Sequence, residues 1–425
     1  MYRGSLAPVA FRAAGRPVFH SRLMIEIMQS QKAEPIRRLL ADLVAFETVS
    51  DRTNLPLIAY IENYLASFGI TGRRIVDESG QKASLWVTIG PEDRPGIVLS
   101  GHTDVVPVAG QDWSNNPFEL VERDGRLYGR GTTDMKGFVA VCLAMVPEMH
   151  QAKLAMPIHL AFSYDEEVGC VGVRPLLREL SRAAVRPLGC FVGEPTQMQV
   201  TIGHKGKHGV RATFRGQACH SSIAPTGVNA IEYAAELIAE IRRRAAELAR
   251  KGARDEMYDV AHTTLLTSVV QGGTALNIVP DRCALEFEAR GLGISESKAV
   301  TDAIVAWARQ QIEPAMKKSN PDCGIEFEEI LEYPALDIDP AHSLVTLAKQ
   351  LAGRNSNAKV SFGTEASLFV AMAEIPAVVI GPGSIAQAHK PDEFVELSAL
   401  MNCAAFIERL IAHCATNRGL AGSQP

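Results

Sequence analysis

At 425 residues the chain is long enough for two domains, or for one domain carrying a large insertion. A composition of 47% hydrophobic and 21% charged residues is that of a globular protein, and a net charge of −5 argues against nucleic acid as the main partner. No apolar stretch reaches the ~18 residues of a membrane span, and the eight scattered cysteines, without a CxxC pair, read as small buried hydrophobes in a reducing cytoplasm.

The first 25 residues hold Arg3, Arg12, Arg16 and Arg22 and no acid before Glu26. The composition is similar to that of a transit peptide but lacks an amphipathic pattern, so residues 1–30 are expected to be a disordered extension, with Met24 or Met28 as alternative starts. Helical periodicity runs over 35–46 and again after Asn54, where Leu57, Tyr60, Ile61, Tyr64, Leu65 and Phe68 make one stripe. Strand-like "SLWVTIG" (84–90), "GIVLS" (96–100), "PIHLAFS" (157–163) and "GCFVGE" (189–194) follow, separated by helix-like 136–150 and 170–183. Such alternation predicts a parallel sheet covered on both faces.

The pattern changes near residue 204. Strand (206–215), helix (229–251), strand (262–271), strand (281–289), helix (296–317) and strand (324–332) follow in order, a β-α-β-β-α-β unit of ferredoxin-like type. The triplet "RRR" at 242–244 lies within it and reads as a solvated helix face. Afterwards "PAVVIG" (376–381) is a strand and 397–415 a closing helix. The expected fold is α/β: a mixed, largely parallel sheet in a catalytic domain of residues 31–203 and 334–425, interrupted by a ferredoxin-like α+β domain at 204–333.

"GHTDVVP" (101–107) places His102 two residues before Asp104 at the end of an apolar strand, so both side chains can lie on one side. Other strand ends carry further acids and a histidine: Asp134 in "GRGTTDMKG", Glu166 and Glu167 in "SYDEEVG", Glu194 in "GEPT" and His389 in "AHKPDEF". Ligands of open α/β sheets gather beyond the carboxyl ends of the strands, so these segments can converge. Two histidines and three carboxylates without a thiolate suit Zn²⁺ or a similar divalent ion, and exceed what one tetrahedral catalytic zinc needs. Of two adjacent glutamates beyond a strand, one can bind metal while the other stays free as a general base.

Each residue alone has an ordinary alternative. Asp134 suits a helix start, Glu166–Glu167 a solvated loop, Glu194 before Pro195 a turn, and His389 beside Lys390 a surface. Their shared position after apolar strands is what favours a common site.

These motifs, in this order, together with "GQACHSS…PTGVNA" and "GGTALNIVPD", resemble the dinuclear-zinc aminoacylase/carboxypeptidase family (peptidase family M20) from about residue 35 to 415. The resemblance implies two Zn²⁺ ions, with Co²⁺ a possible substitute. It implies His102 and Glu194 as ligands of one metal, Glu167 and His389 of the other, and Asp134 as the bridge, with a cis peptide bond after it. Asp104 would orient His102, and Glu166 would be the general base.

In the inserted domain, the resemblance makes His220 the residue that stabilises the tetrahedral oxyanion, and Asn277 and Arg290 residues that hold the substrate. A guanidinium fork suits an α-carboxylate, although Arg290 at a strand end can equally pair with a neighbouring Glu. Within the family, "GTEAS" (363–367) and "GPGSIAQAHKPDEF" (381–394) point to members that cleave N²-acetyl-L-ornithine to acetate and L-ornithine for arginine synthesis, with Glu365 expected to receive the side-chain ammonium. Alternatives are another N-acyl-amino-acid hydrolase, such as one acting on succinyl-diaminopimelate, or a binding protein that has lost catalysis. A homodimer through the inserted domain is expected, with His220 reaching the neighbour's metals.

Overall fold

The computed structural model describes residues 19–416, 419 and 420, with side-chain detail from Lys32 onward. Residues 1–18 of the expected extension therefore lie outside the described residues. Residues 19–30 belong to the helix Phe19–Val44. They contain neither Gly nor Pro, and Leu23, Met24, Glu26 and Met28 favour a helix.

The large sheet has nine strands. Its path runs Gly72–Val76, Ala83–Ile89, Ile158–Ser163, Ile97–His102, Gly189–Val192, Ala377–Val379, Thr201–His204 and Leu336–Asp337, with Ala358–Val360 beside Thr201–His204. The four central strands, from Ile158–Ser163 to Ala377–Val379, are mutually parallel, whereas both flanks turn antiparallel. Central strands are buried along their whole length, as "IVLSGH" and "IHLAFS" are here, because helices cover both faces.

One core packs the helices Phe19–Val44, Leu55–Ala66, Lys136–Ala144, Ser343–Ala352 and Leu397–Thr416 against the sheet. A second lies on the other face, under Val173–Leu180 and Ala366–Ala373. The predicted helix 136–150 is two helices, Lys136–Ala144 and Val146–Gln151, because Pro147 starts a new one. Leu397–Thr416 is long and apolar enough to cross a membrane by length and composition, contrary to the expectation that no stretch is. Its Leu400, Cys403, Phe406, Ile407 and Leu410 are core residues here.

The second sheet is antiparallel, in the order Thr264–Gly272, Arg282–Gly291, Gly206–Arg215, Gly324–Tyr333, with Ala230–Lys251 and Glu296–Gln311 on one face. That is the ferredoxin-like strand order, and it closes a third core. The chain enters at Lys205–Gly206 and leaves through Tyr333–Ala335, side by side. A Cβ on Gly206 would meet the Ala335 nitrogen at 2.6 Å, so only glycine permits that approach. A small third sheet, Val121–Arg123, Arg126–Tyr128 and Phe394–Glu396, clamps the loop that carries His389.

Candidate metal centre

His102 ends an interior strand and is 0% exposed. Its Nδ1 lies 2.9 Å from the Asp104 carbonyl oxygen and 3.4 Å from Asp104 Oδ1. An imidazole whose Nδ1–H is held by oxygen offers its Nε2 lone pair to a cation. That Nε2 lies 3.2 Å from Asp134 Oδ1 and 3.7 Å from Glu194 Oε1. Burial pushes the His102 pKa down, but Asp104, Asp134 and Glu194 outweigh it and hold the ring well above the ordinary histidine range.

Asp134 sits in the turn before Lys136–Ala144, and its peptide bond to Met135 is cis. Its Oδ2 lies 3.3 Å from His389 Nε2, so each oxygen faces a different imidazole. Burial would raise its pKa, but the two histidines hold it below the usual carboxylate range. Lys136, 1% exposed, donates from Nζ to the carbonyls of Leu43 (3.0 Å) and Phe46 (2.7 Å), tying this turn to the end of the first helix.

Glu166 and Glu167 follow the strand Ile158–Ser163. Their backbone N–H groups donate to Asp104 Oδ1 (3.1 Å) and Oδ2 (3.3 Å), and Ser50 Oγ donates to Oδ2 at 2.8 Å. Asp104 thus positions His102 and the glutamate loop together, a second task that i, i+2 spacing did not suggest. Glu167 lies 3.1 and 3.0 Å from His389 Nε2 through its two oxygens. Burial, only partly offset by His102, raises Glu166 well above the ordinary carboxylate range. Burial and then Asp134 push Glu167 up to about 7, and hydrogen bonds to Asp134 and Glu167 push His389 up to about 10.

So many carboxylates gathered round two imidazoles call for a cation. Glu194 Oε1 is buried and accepts no hydrogen bond. Ligand atoms of His102, Glu166 and Glu194, and separately of His102, Asp134 and Glu167, lie within 4.8 Å of one another. The donor set therefore fits divalent ions held by imidazole and carboxylate. A third such group in the inserted unit, His208, Glu329 and Glu332, already has a cation, because Lys298 Nζ stands 3.2 Å from Glu329 Oε2.

The remaining candidates lie elsewhere. His220 and Asn277 are exposed neighbours: His220 pairs across a bridge with Ile278, and its Nδ1 contacts Ser222 Oγ at 2.8 Å. Arg290 donates from Nε to Glu288 Oε1 at 2.8 Å, the ordinary alternative foreseen for it, while Glu288 also meets Lys207 at 2.9 Å. Glu365 differs from expectation. It is 1% exposed, and its two oxygens accept from Ser100 Oγ (2.6 Å) and Ser163 Oγ (2.7 Å), beneath the strand ends. A carboxylate so occupied is not open to a substrate ammonium.

Two further residues of these motifs belong to the centre's surroundings although their types alone did not mark them. Glu393 of "AHKPDEF" and Arg130 of "GRGTTDMKG" form an ion pair at 2.7 Å, each 1% exposed. The available signal was an acid and a base inside two motifs that also carry candidate ligands, although the two lie 263 positions apart.

Residues 98–413 match the family described as Peptidase family M20/M25/M40. The chain is 30% identical over 395 residues to the acetylornithine deacetylase of Pasteurella multocida (strain Pm70), covering 91% of this chain and all of that one. The aminopeptidase PepT of Bacillus cereus ATCC 10987 is similar in structure, with a TM-score of 0.69 at 22% identity over 90% of this chain and 99% of its own. So is the YXEP protein of Bacillus subtilis, described as a dinuclear metal binding peptidase, with a TM-score of 0.63 at 15% identity over 91% and 100%. The chain belongs to peptidase family M20/M25/M40.

Proposed function

We propose that the protein hydrolyses the acetamide of N²-acetyl-L-ornithine, releasing acetate and L-ornithine. The observation that carries an amide-hydrolase reading is Asp134, one oxygen toward His102 and the other toward His389, with Glu166 alongside. The 30% identity to an acetylornithine deacetylase supports the substrate.

In this reading His102, Glu194, Asp134, Glu167 and His389 would hold two divalent ions, Zn²⁺ or its substitute Co²⁺. Such ions supply Lewis acidity, polarising a carbonyl and acidifying water. Glu166, whose proton affinity burial raises, takes the proton of the attacking water and returns it to the departing amine as the C–N bond breaks. Arg290 binds the α-carboxylate, and Asn277 helps to hold the substrate. His220 stabilises the tetrahedral oxyanion.

Residues 31–203 and 334–425 form the catalytic unit in this proposal, and 204–333 the insertion through which two copies pair. Supporting this, the sheet edge Thr264–Gly272 exposes Leu266, Val269 and Val270, and the nearby Leu276 is 101% exposed. His220 and Asn277 lie in the same region, and among the described residues the His220 ring bonds within its own loop, to Ser222, rather than to a candidate metal ligand, so a neighbour's centre is its natural target. The eight free cysteines agree with a cytoplasmic setting.

The deciding experiment is hydrolysis, by metal-reconstituted protein, of N²-acetylornithine beside N-acetylmethionine, N-succinyl-diaminopimelate and dipeptides. Preference for any of the others over acetylornithine would overturn the substrate assignment.

A further inference from the structure

Three backbone N–H groups of the Asp134 turn end on one side chain. Glu393 Oε1 accepts from Thr133 at 2.9 Å and from Asp134 at 3.1 Å. Its Oε2 accepts from the Gly131 N–H at 3.0 Å and from Arg130 Nη1 at 2.7 Å. Both carboxylate oxygens are thereby fully used, and none of these contacts is with a candidate metal ligand's side chain.

Glu393 belongs to the turn that carries His389. The Gly129 N–H donates to the Glu393 carbonyl oxygen at 2.9 Å, Arg130 Nη1 reaches the Lys390 carbonyl at 3.3 Å, and Gln111 Nε2 reaches the His389 carbonyl at 3.2 Å. Arg130 Nη2 also donates to Gln111 Oε1, and its guanidinium lies 5.0 Å from the centre of the Trp113 ring. One carboxylate therefore joins the turn that offers Asp134 to the turn that offers His389.

The two halves of the centre differ in what supports them. His102 and Glu194, 0% and 3% exposed, follow directly from interior strands, whose ladders fix them. His389 is 51% exposed at the side chain and sits in the left-handed region at φ 62, on a loop with no strand of its own at that point. A loop ligand depends on its outer hydrogen bonds for orientation more than a strand-end ligand does.

We propose that Glu393 is a positioning residue for the His389–Glu167 half of the centre, setting Asp134 Oδ2 and His389 Nε2 side by side. This role rests on the two-ion reading above. The buried Arg130 partners Glu393 and extends its hold to Lys390 and Gln111.

The test is Co²⁺ titration of the metal-free protein, read by calorimetry and by the visible absorption of the bound ion. Wild type should take up two ions. Glu393→Gln should keep one at wild-type affinity and weaken the other by about 10–100-fold, the usual cost of losing an outer hydrogen-bond partner. Adding Glu167→Gln should lower affinity little beyond Glu167→Gln alone, whereas adding Glu194→Gln should leave neither ion tightly held. Equal weakening of both ions, or two unchanged ions with a lowered melting temperature, would make Glu393 a stability residue and overturn the proposal. A wild type that binds a single ion would overturn the two-ion reading, and this role with it. Should Glu393→Gln not fold, Arg130→Lys, which keeps a charge but loses the fork, should show the same one-sided weakening to a smaller degree. Two unchanged ions there would also overturn it.

Discussion

The Oδ2 of Asp134 lies 3.3 Å from Nε2 of His389, a contact made between two loops far apart in the chain. Because the other Asp134 oxygen faces His102, one carboxylate stands between two imidazoles, as a bridge between two cations would. The protein should accordingly carry about two divalent ions per chain, and chelation should remove them together with activity. Metal analysis showing no ion after Zn²⁺ or Co²⁺ reconstitution would sink the enzyme assignment.

The adjacent glutamates should separate by function. Glu166→Gln should leave metal content near normal and lower kcat by ~10²–10⁴, the range for removing a general base. Glu167→Gln, which loses a carboxylate 3.0 Å from His389, should weaken metal binding instead. Metal content and kcat measured on both variants check this, and the reverse pattern would exchange their roles.

Arg290→Ala should raise KM for N²-acetylornithine with metal content unchanged. An equal loss with a substrate lacking the carboxylate would mean that its pair with Glu288 is structural. Glu365→Gln should leave the ratio of acetylornithine to acetylmethionine turnover unchanged, and lower stability by about 1–3 kcal/mol through the serine hydrogen bonds it weakens. A selective loss of acetylornithine turnover would return Glu365 to the substrate site.

If His220 serves the neighbour's centre, His220→Ala and Glu166→Ala should each be nearly inactive as homodimers. Co-expressed, they should recover roughly a quarter of wild-type activity, since half the dimers are hybrid and each hybrid has one site with both residues intact. Inactivity of a verified hybrid would refute the shared site.

His204 is fully buried, and its Nδ1 lies 3.0 Å from the Lys205 carbonyl oxygen. Burial pushes its pKa down to about 4, below the ~6.5 of an unfolded histidine. Between those values the unfolded chain takes up a proton that the folded chain refuses, so stability is present above pH ~6.5 and is lost as pH falls toward 4. Metal-saturated wild type should lose about 2 kcal/mol more than His204→Phe between pH 7 and pH 5. Denaturant unfolding at the two pH values measures the difference, and parallel losses would assign the acid sensitivity elsewhere.

Alternation of apolar runs and helical stripes was enough to read the central strands, because burial on both faces writes itself into local composition, and the β-α-β-β-α-β segment, where strands covered on one face, such as Arg282–Gly291, alternate buried and half-exposed residues. "IVLSGH" and "IHLAFS" are examples: a strand in the middle of a sheet can hold little that is polar. Short flanking pieces such as Leu336–Asp337, Ala358–Val360 and Phe394–Glu396 left no such mark, since two or three residues have no period and are strands only because a partner lies alongside. The chemistry of the centre was likewise readable as residue types after strand ends, but its wiring was not. Asp104 holding the Glu166–Glu167 backbone, Glu365 closed off by Ser100 and Ser163, and Glu393 gathering the Asp134 turn all join segments remote in the chain. Hydrogen bonds are fixed by distances of a few tenths of an ångström and by direction, and only the packed tertiary structure sets those.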